Sequence, residues 1–349
     1  MNIDEKYMQR CLQLASLGRG YTNPNPMVGA VIVYKDKIIG EGYHRQYGKA
    51  HAEVNAINSV RNRNLLKEST IYVSLEPCSH YGKTPPCAKL IVDCRIPRVV
   101  IATADPFPQV AGGGIKMLED AGVEVTIGIL EKDAIELNKE FFTRQIKHRP
   151  YIYLKWAQSK DGFIDKERKA DDQNIPTPIS NDFTKMLVHK KRAETAAIMI
   201  GTNTAIKDNP SLTNRLWYGK NPLRIILDRQ LRIPRSYNVY DNTAPTIIFT
   251  ELENEARKEN NTTLIPIVFD NNLLTNILSE LNNFKIDSVL VEGGNQLLNG
   301  FIQAGLWDEA FVEIANTEFR IGILAPEIKG HMVSNEIKFD AQLLHLSRM

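Results

Sequence analysis

Apolar residues along this chain fall into short β-branched runs separated by amphipathic helical stretches, and the pattern starts twice. Tyr7, Met8, Cys11, Leu12 and Ala15 recur at helical spacing and predict a helix over residues 4–18. The runs 28–33 and 38–42, joined at Lys35-Asp36-Lys37, predict a hairpin. A helix opening at His51, a strand at 71–75, a helix at 88–93, a strand at 98–102, a helix at 114–121 and a strand at 123–125 follow. Helices alternating with strands predict a sheet covered on both faces. The basic, polar stretch 143–150 then ends at Pro150, which stops a helix. Beyond it the runs 151–157, 196–201, 223–228, 246–249 and 288–291 are almost continuously apolar, the mark of strands buried on both faces. The expected architecture is α/β with two domains, residues 1–146 and 147–349.

Composition agrees and narrows the function classes. A chain of 349 residues exceeds one ordinary core. A formal charge of +2 supplies no basic stripe, so no nucleic-acid partner is expected. Residues 1–6 are charged where a signal stretch would be apolar, and no run approaches the roughly 20 apolar residues of a membrane helix. Four cysteines in so long a chain suit a reducing cytoplasm. Cys11 and Cys94 sit among apolar residues and read as core thiols.

Cys78 and Cys87 read differently, because of His51 and Glu53. One imidazole and two thiolates are three zinc ligands, the number that leaves a tetrahedral site open for water. Zinc lowers the pKa of that water toward neutrality. Glu53, two residues from His51 and not itself a ligand, is placed to shuttle protons. His-x-Glu followed by Pro-Cys…Cys is the arrangement of zinc nucleobase deaminases, although here eight residues separate the cysteines in place of two.

The second domain carries weaker signals. Val291-Glu292-Gly293-Gly294-Asn295 joins a buried strand to a helical pattern, and is either a tight turn or an anion site at a helix N-terminus. The segment from Gly201-Thr202-Asn203-Thr204 to Asp208-Asn209-Pro210 and Arg215 reads as a polar binding loop after a core strand. The glycine run 111–114 is a still weaker phosphate candidate, since no strand precedes it. In the first domain, Asn23 and Asn25 sit in a proline-locked loop: Asn25 is a candidate to hold a polar ring or sugar, and Asn23 reads as turn chemistry.

Taken together, Asn23-Pro24-Asn25-Pro26-Met27-Val28-Gly29, His51-Ala52-Glu53-Val54-Asn55-Ala56, the segment 75–87, Gly201-Thr202-Asn203-Thr204, Asp208-Asn209-Pro210 and Val291-Glu292-Gly293-Gly294 resemble the bifunctional deaminase–reductase family of riboflavin biosynthesis. The resemblance covers nearly the whole chain, and the long cysteine spacing is part of it. It implies a cytidine-deaminase-like first domain and a dihydrofolate-reductase-like second one, with zinc and NADPH as cofactors. The implied reactions are hydrolytic deamination of 2,5-diamino-6-(5-phosphoribosylamino)pyrimidin-4(3H)-one, then reduction of the ribosyl group to ribityl. Glu53 is the implied acid/base, and His51, Cys78 and Cys87 the zinc ligands. Cofactor positions fall on Gln158, Thr204, Asp208, Gly294, Asn295, Gln296, Leu297, Leu298, Asn299 and Gly300. Substrate positions fall on Arg192, Leu212, Arg215 and Glu292, the arginines as forks for the 5-phosphate. Lys155 either orients the ribosyl group or is an ordinary solvated lysine. The chain departs from the family where Ser-x-Trp-Ile-Thr is replaced by Pro176-Thr177-Pro178-Ile179-Ser180, after a highly charged stretch at 166–174. Partners implied are small phosphoribosylaminopyrimidines and a second copy of the chain, through the second domain. The alternatives are a transfer-RNA or nucleobase deaminase with an unrelated second domain, and a non-catalytic protein whose zinc staples a loop.

Overall fold

Asn2 starts the first helix, α1 (Ile3–Ser16): its side chain accepts from the Glu5 N–H at 2.8 Å, and Glu5 accepts from the Asn2 N–H at 2.9 Å. The computed structural model describes residues 2–80, 85–106, 112–168, 176–252 and 258–349, with 258 and 259 placed by backbone alone. The chain separates into two units, Met1–His148 and Arg149–Met349.

In the first unit α1 leads to the hairpin β1 (Gly29–Tyr34) and β2 (Lys37–Tyr43). A Cβ at Gly29 would lie 2.0 Å from the Cys11 carbonyl oxygen, so only glycine lets the strand meet the helix so closely. Then come α2 (Ala52–Ser59), β3 (Thr70–Val73), α3 (Cys87–Asp93), β4 (Arg98–Ile101), α4 (Gly113–Asp120), β5 (Glu124–Ile127), α5 (Glu131–Leu137) and α6 (Lys139–Lys147). The sheet runs β2-β1-β3-β4-β5, with β3, β4 and β5 parallel and β1 antiparallel to both its neighbours. Alternation puts Ala30, Ile32, Ile71, Val99 and Ile101 against α2, α3 and α4, and Val31, Tyr72 and Val100 against α1 and α5. Both faces are covered, as the pattern predicts. Cys11 is fully buried, its Sγ 3.3 Å from the Tyr72 carbonyl; Cys94 is only half-buried, at the end of α3.

The second unit contains β6 (Tyr151–Ser159), β7 (Phe163–Asp165), α7 (Asp182–Glu194), β8 (Ala197–Gly201), α8 (Thr202–Asp208), β9 (Leu223–Leu227), β10 (Thr246–Thr250), β11 (Lys258–Glu259), β12 (Thr262–Pro266), α9 (Leu273–Asn283), β13 (Ser288–Gly293), α10 (Asn295–Gln303), β14 (Glu309–Ala315), β15 (Ile323–Leu324), β16 (His331–Lys338) and β17 (Ala341–Ser347). Its large sheet runs β11-β12-β10-β9-β8-β13-β6-β14-β17-β16; the strands from β12 to β14 are parallel, and β11, β17 and β16 add antiparallel edges. A small β7–β15 pair stands apart. One core packs Ile152, Leu154, Trp156, Val289 and Val291 against α9 and α10; another packs Ile198, Ile200 and Ile226 around Ala205 of α8. The polar segment after Gly201 opens as a two-turn helix, α8, where the sequence reads as a loop. Residues 201, 293, 159 and 315 end neighbouring parallel strands, and the crevice outside such ends is where ligands bind in open α/β sheets.

Candidate active sites

In the first unit, His51 is the N-cap of α2 and Cys87 the first residue of α3. Cys78 lies just beyond β3. One ligand atom from each of His51, Cys78 and Cys87 falls within 4.8 Å of the others. His51 Nδ1 is 3.6 Å from Cys78 Sγ and 3.4 Å from Cys87 Sγ. Tetrahedral zinc with ordinary Zn–N and Zn–S bonds would separate such atoms by about 3.5 Å, so this donor set fits the metal. Cys78 Sγ also accepts from the Cys87 N–H at 3.3 Å. The Cys87 thiol and His51 hold Cys78 down at about 4 against the cost of its burial. Cys87 is pushed up, first by sharing its proton with Cys78 and then by burial. Burial raises Glu53 to about 7, with its side chain 3% exposed beside the cluster. Residues 81–84, within the segment between the thiols, lie outside the described residues, as does residue 111 of the glycine run.

The rest of that glycine run has a structural occupant. Glu76 accepts from the N–H groups of Gly114 (2.9 Å), Gly112 (3.1 Å), Asp105 (3.2 Å) and Ile115 (3.3 Å). The start of α4 therefore wraps an internal carboxylate, and the phosphate reading of residues 111–114 is corrected. A Cβ at Gly114 would strike the Pro77 carbonyl at 1.9 Å, so this glycine seats α4 directly against the Pro77-Cys78 turn. Asn25 Nδ2 lies 3.4 Å from His44 Nε2, while His44 Nδ1 faces the Ala50 carbonyl at 3.2 Å. Burial lowers the His44 pKa, and its ring meets that of His51 edge-on at 5.5 Å.

In the second unit the turn after β13 faces α8. A Cβ at Gly294 would lie 3.0 Å from Thr204 Oγ1, so the glycine turn and Thr204 form one cradle, joined by a cis Gly293–Gly294 peptide. The N–H groups of Leu297 and Leu298 both bond the Gly294 carbonyl at 3.1 Å, and their side chains pack in the core. Asn299 bonds Asn295 at 2.5 Å, and Gly300 packs against Leu274 of α9. The first turn, Gly294 to Gln296, presents open backbone donors, and residues 297–300 of the expected cofactor stretch continue the helix from it. Gln158 Oε1 accepts from Trp156 Nε1 at 2.8 Å. Asp208 is paired with Arg168 at 2.6 Å, and Arg168 also holds Asp165; residues 169–174 of the charged stretch lie outside the described residues.

Glu292 occupies a bulge in the β13–β8 register and meets Arg192 of α7 at 2.5 and 2.9 Å, both residues being largely buried. Bulges re-aim side chains in this way. The third edge of the Arg192 fork faces the Thr213 carbonyl at 3.2 Å. All three guanidinium nitrogens of Arg192 are thus engaged within the protein, which leaves Arg215 the more open of the two arginines expected at the phosphate. Arg215 is exposed, and among the described residues its guanidinium bonds Thr213 Oγ1 at 3.2 Å; its backbone N–H donates to His189 Nδ1 at 2.9 Å. Leu212 adopts left-handed backbone (φ 54) with its side chain in the core. Burial pushes the Glu292 pKa up, but the charge and hydrogen bond of Arg192, with the charges of Lys155 across the β6–β13 ladder and of His189, outweigh it and lower the value. Pro178 lies between Thr177, bonded to Asp165, and Ser180, bonded to Glu313 at 2.6 Å.

Comparison with known proteins gives these two sites a common frame. Residues 1–103 match the cytidine and deoxycytidylate deaminase zinc-binding region, and residues 150–317 match the RibD C-terminal domain. The riboflavin biosynthesis protein RibD of Aquifex aeolicus is 43% identical over 90% of this chain and 87% of its own length. That of Bacillus amyloliquefaciens is 44% identical over 93% and 88%. The chain belongs to the RibD family. A Thermotoga maritima diaminohydroxyphosphoribosylaminopyrimidine deaminase/5-amino-6-(5-phosphoribosylamino)uracil reductase superposes with a TM-score of 0.89 at 36% identity, covering 99% of both chains. Acinetobacter baumannii RibD superposes with a TM-score of 0.88 at 31% identity, again over 99% of both. Like its relatives, the chain is a bifunctional riboflavin-biosynthesis enzyme, a zinc-binding deaminase joined to a reductase. The alternative of a nucleobase deaminase with an unrelated second domain is thereby set aside. No helix among the described residues is long and apolar enough to cross a membrane.

Sequence reasoning missed His44 and Glu76. A single histidine at a strand end and a glutamate before a proline carry no spacing signal. Their roles arise from partners 19 and up to 39 residues away in sequence.

Proposed function

We propose that the first unit deaminates 2,5-diamino-6-(5-phosphoribosylamino)pyrimidin-4(3H)-one and that the second reduces the ribosyl group of the resulting 5-amino-6-(5-phosphoribosylamino)uracil. The observation that carries the reading is the His51–Cys78–Cys87 triangle with Glu53 buried beside it, in a chain whose other unit has a glycine cradle at the end of a parallel sheet. His51, Cys78 and Cys87 hold zinc, which supplies Lewis acidity for activating water. Glu53 takes one proton from the attacking water and passes it to the ring nitrogen, then carries the proton of the added hydroxyl to the departing amine as the carbonyl forms. Asn25 and His44 hold the pyrimidine; burial favours the neutral form of His44, and the Ala50 carbonyl orients its ring.

In the second unit the Gly294–Gln296 turn and Thr204 hold NADPH, which supplies the hydride when bound. Arg215 grips the 5-phosphate. Arg192 fixes Glu292, and Glu292 with Lys155 faces the sugar. The reading includes a cytoplasmic location, where thiol ligands stay reduced, and no nucleic-acid partner. It also includes a homodimer through the second unit, whose edge strand β16 exposes Met332, Val333 and Ile337. The test is to give the protein the diaminopyrimidinone ribosyl phosphate and NADPH and to follow ammonia and NADPH separately. Both should be consumed or released in equal amounts; ammonia without NADPH oxidation would remove the reductase half.

A further inference from the structure

The sheet face that carries Lys155 and Glu292 holds another buried carboxyl group, and nothing described above uses it. Glu313 lies on β14 in register with Ala157 of β6, two residues beyond Phe311, which is in register with Lys155. Alternate residues of a strand share a face. Glu313, Phe311, Ala157 and Lys155 therefore lie together, while Val312 and Ile314 pack into the core on the other side. Glu313 is 4% exposed. Its Oε2 accepts from Ser180 Oγ at 2.6 Å. Its Oε1 is buried and has no hydrogen-bond partner among the described residues. A carboxyl oxygen stripped of water and left unpartnered costs free energy that a ligand donor would recover. Glu313 also stands near the carboxyl end of its strand, at the crevice where the neighbouring strands end.

The geometry points to Glu313 as a substrate-binding residue of the reductase, whose free Oε1 accepts a hydrogen bond from a hydroxyl of the substrate's ribosyl chain. This rests on the reductase reading of the second unit. The occupant must bring an O–H or N–H group, which excludes the phosphate and the ring carbonyls. The ribosyl hydroxyls qualify, and they belong on the face of Lys155 and Glu292. The carboxamide of the nicotinamide also qualifies, but the Gly294–Thr204 cradle lies at the β8–β13 ends, two strands from β14.

The test uses the full chain carrying Glu313→Gln, with Ser180→Ala as the control. Glu313→Gln should raise KM for 5-amino-6-(5-phosphoribosylamino)uracil about tenfold or more, the lower end for a hydrogen bond to a charged group. KM for NADPH and the rate of ammonia release should stay at the wild-type values. Calorimetry with ribose 5-phosphate should show the same weakening, while inorganic phosphate binds both proteins alike. Ser180→Ala should leave the substrate KM within about twofold. A rise in NADPH KM with ribose 5-phosphate unaffected would hand Glu313 to the cofactor and overturn the assignment. An equal rise in substrate KM from Ser180→Ala would reduce Glu313 to an anchor for the segment before α7. If the wild type itself fails to oxidise NADPH, the reductase reading falls, and the ribose 5-phosphate comparison still decides whether Glu313 binds a sugar.

Discussion

Glu53 and the arginines of the second unit show how much a residue's role depends on what surrounds it. Glu53 is buried against the metal triangle without belonging to it, which is the placement the proposed proton transfer requires. Glu53→Gln should keep one zinc per chain by elemental analysis and lower ammonia release about 100-fold or more, the usual scale of positioned proton transfer. Reduction of the already deaminated intermediate should continue. Near-normal ammonia release would exclude the role. Arg192 and Arg215 look equivalent in sequence, yet one is locked to Glu292 and the other is exposed. Arg192→Ala leaves a buried carboxylate unpaired and should cost about 3–5 kcal/mol of stability in chemical denaturation. Arg215→Ala should leave stability unchanged and weaken the phosphorylated substrate by about 1.5–3 kcal/mol. The opposite assignment of effects would mean that the phosphate sits at Arg192. The zinc cluster was legible in the sequence because few residue types ligate zinc and the ligands sit at two helix starts, His51 before α2 and the cysteines between β3 and α3. The arginine roles were not, because an ion pair 100 residues apart in sequence is made only by tertiary packing.

At the scale of elements, apolar periodicity located the buried strands and failed where polar residues enter a strand. β14 carries Glu309 and Glu313 on one face, which breaks its apolar run, and β16 is exposed along nearly its whole length. Both escaped the sequence pattern, although β14 borders the reductase crevice. Helix α10 shows the reverse case, since both its glycine start and its helical pattern were visible. Gly294→Val would drive a side chain against Thr204 and should weaken NADPH binding about tenfold or more by fluorescence titration, with deamination unaffected; unchanged NADPH affinity would remove the cradle from the cofactor site. Helix α7 brings a pH dependence. Burial, with the charges of Arg192 and Arg215, lowers His189 to about 4 from a usual 6.5. Below pH 6.5 the unfolded chain takes up a proton that the folded state refuses. The His189 contribution is therefore complete above pH 6.5 and is lost as pH falls toward 4. His189→Asn, which keeps an acceptor for the Arg215 N–H, should flatten the fall of the unfolding midpoint between pH 6.5 and 5. An unchanged slope would show that His189 does not titrate this way.

At the scale of the whole molecule, each unit has its own sheet and its own hydrophobic core, and each holds one of the two sites. That the second half starts a new α/β pattern was readable from its apolar runs; the antiparallel extension of its sheet was not, because edge strands carry little apolar signal. The central claim is that one chain performs two separable reactions, with the metal serving only the first. It is tested most directly by Cys78→Ala, assayed twice. Given the diaminopyrimidinone ribosyl phosphate, this variant should contain no zinc and release no ammonia. Given the deaminated intermediate and NADPH, it should oxidise NADPH at the wild-type rate. Zinc retained with ammonia still released, or NADPH oxidation lost together with deamination, would contradict the account.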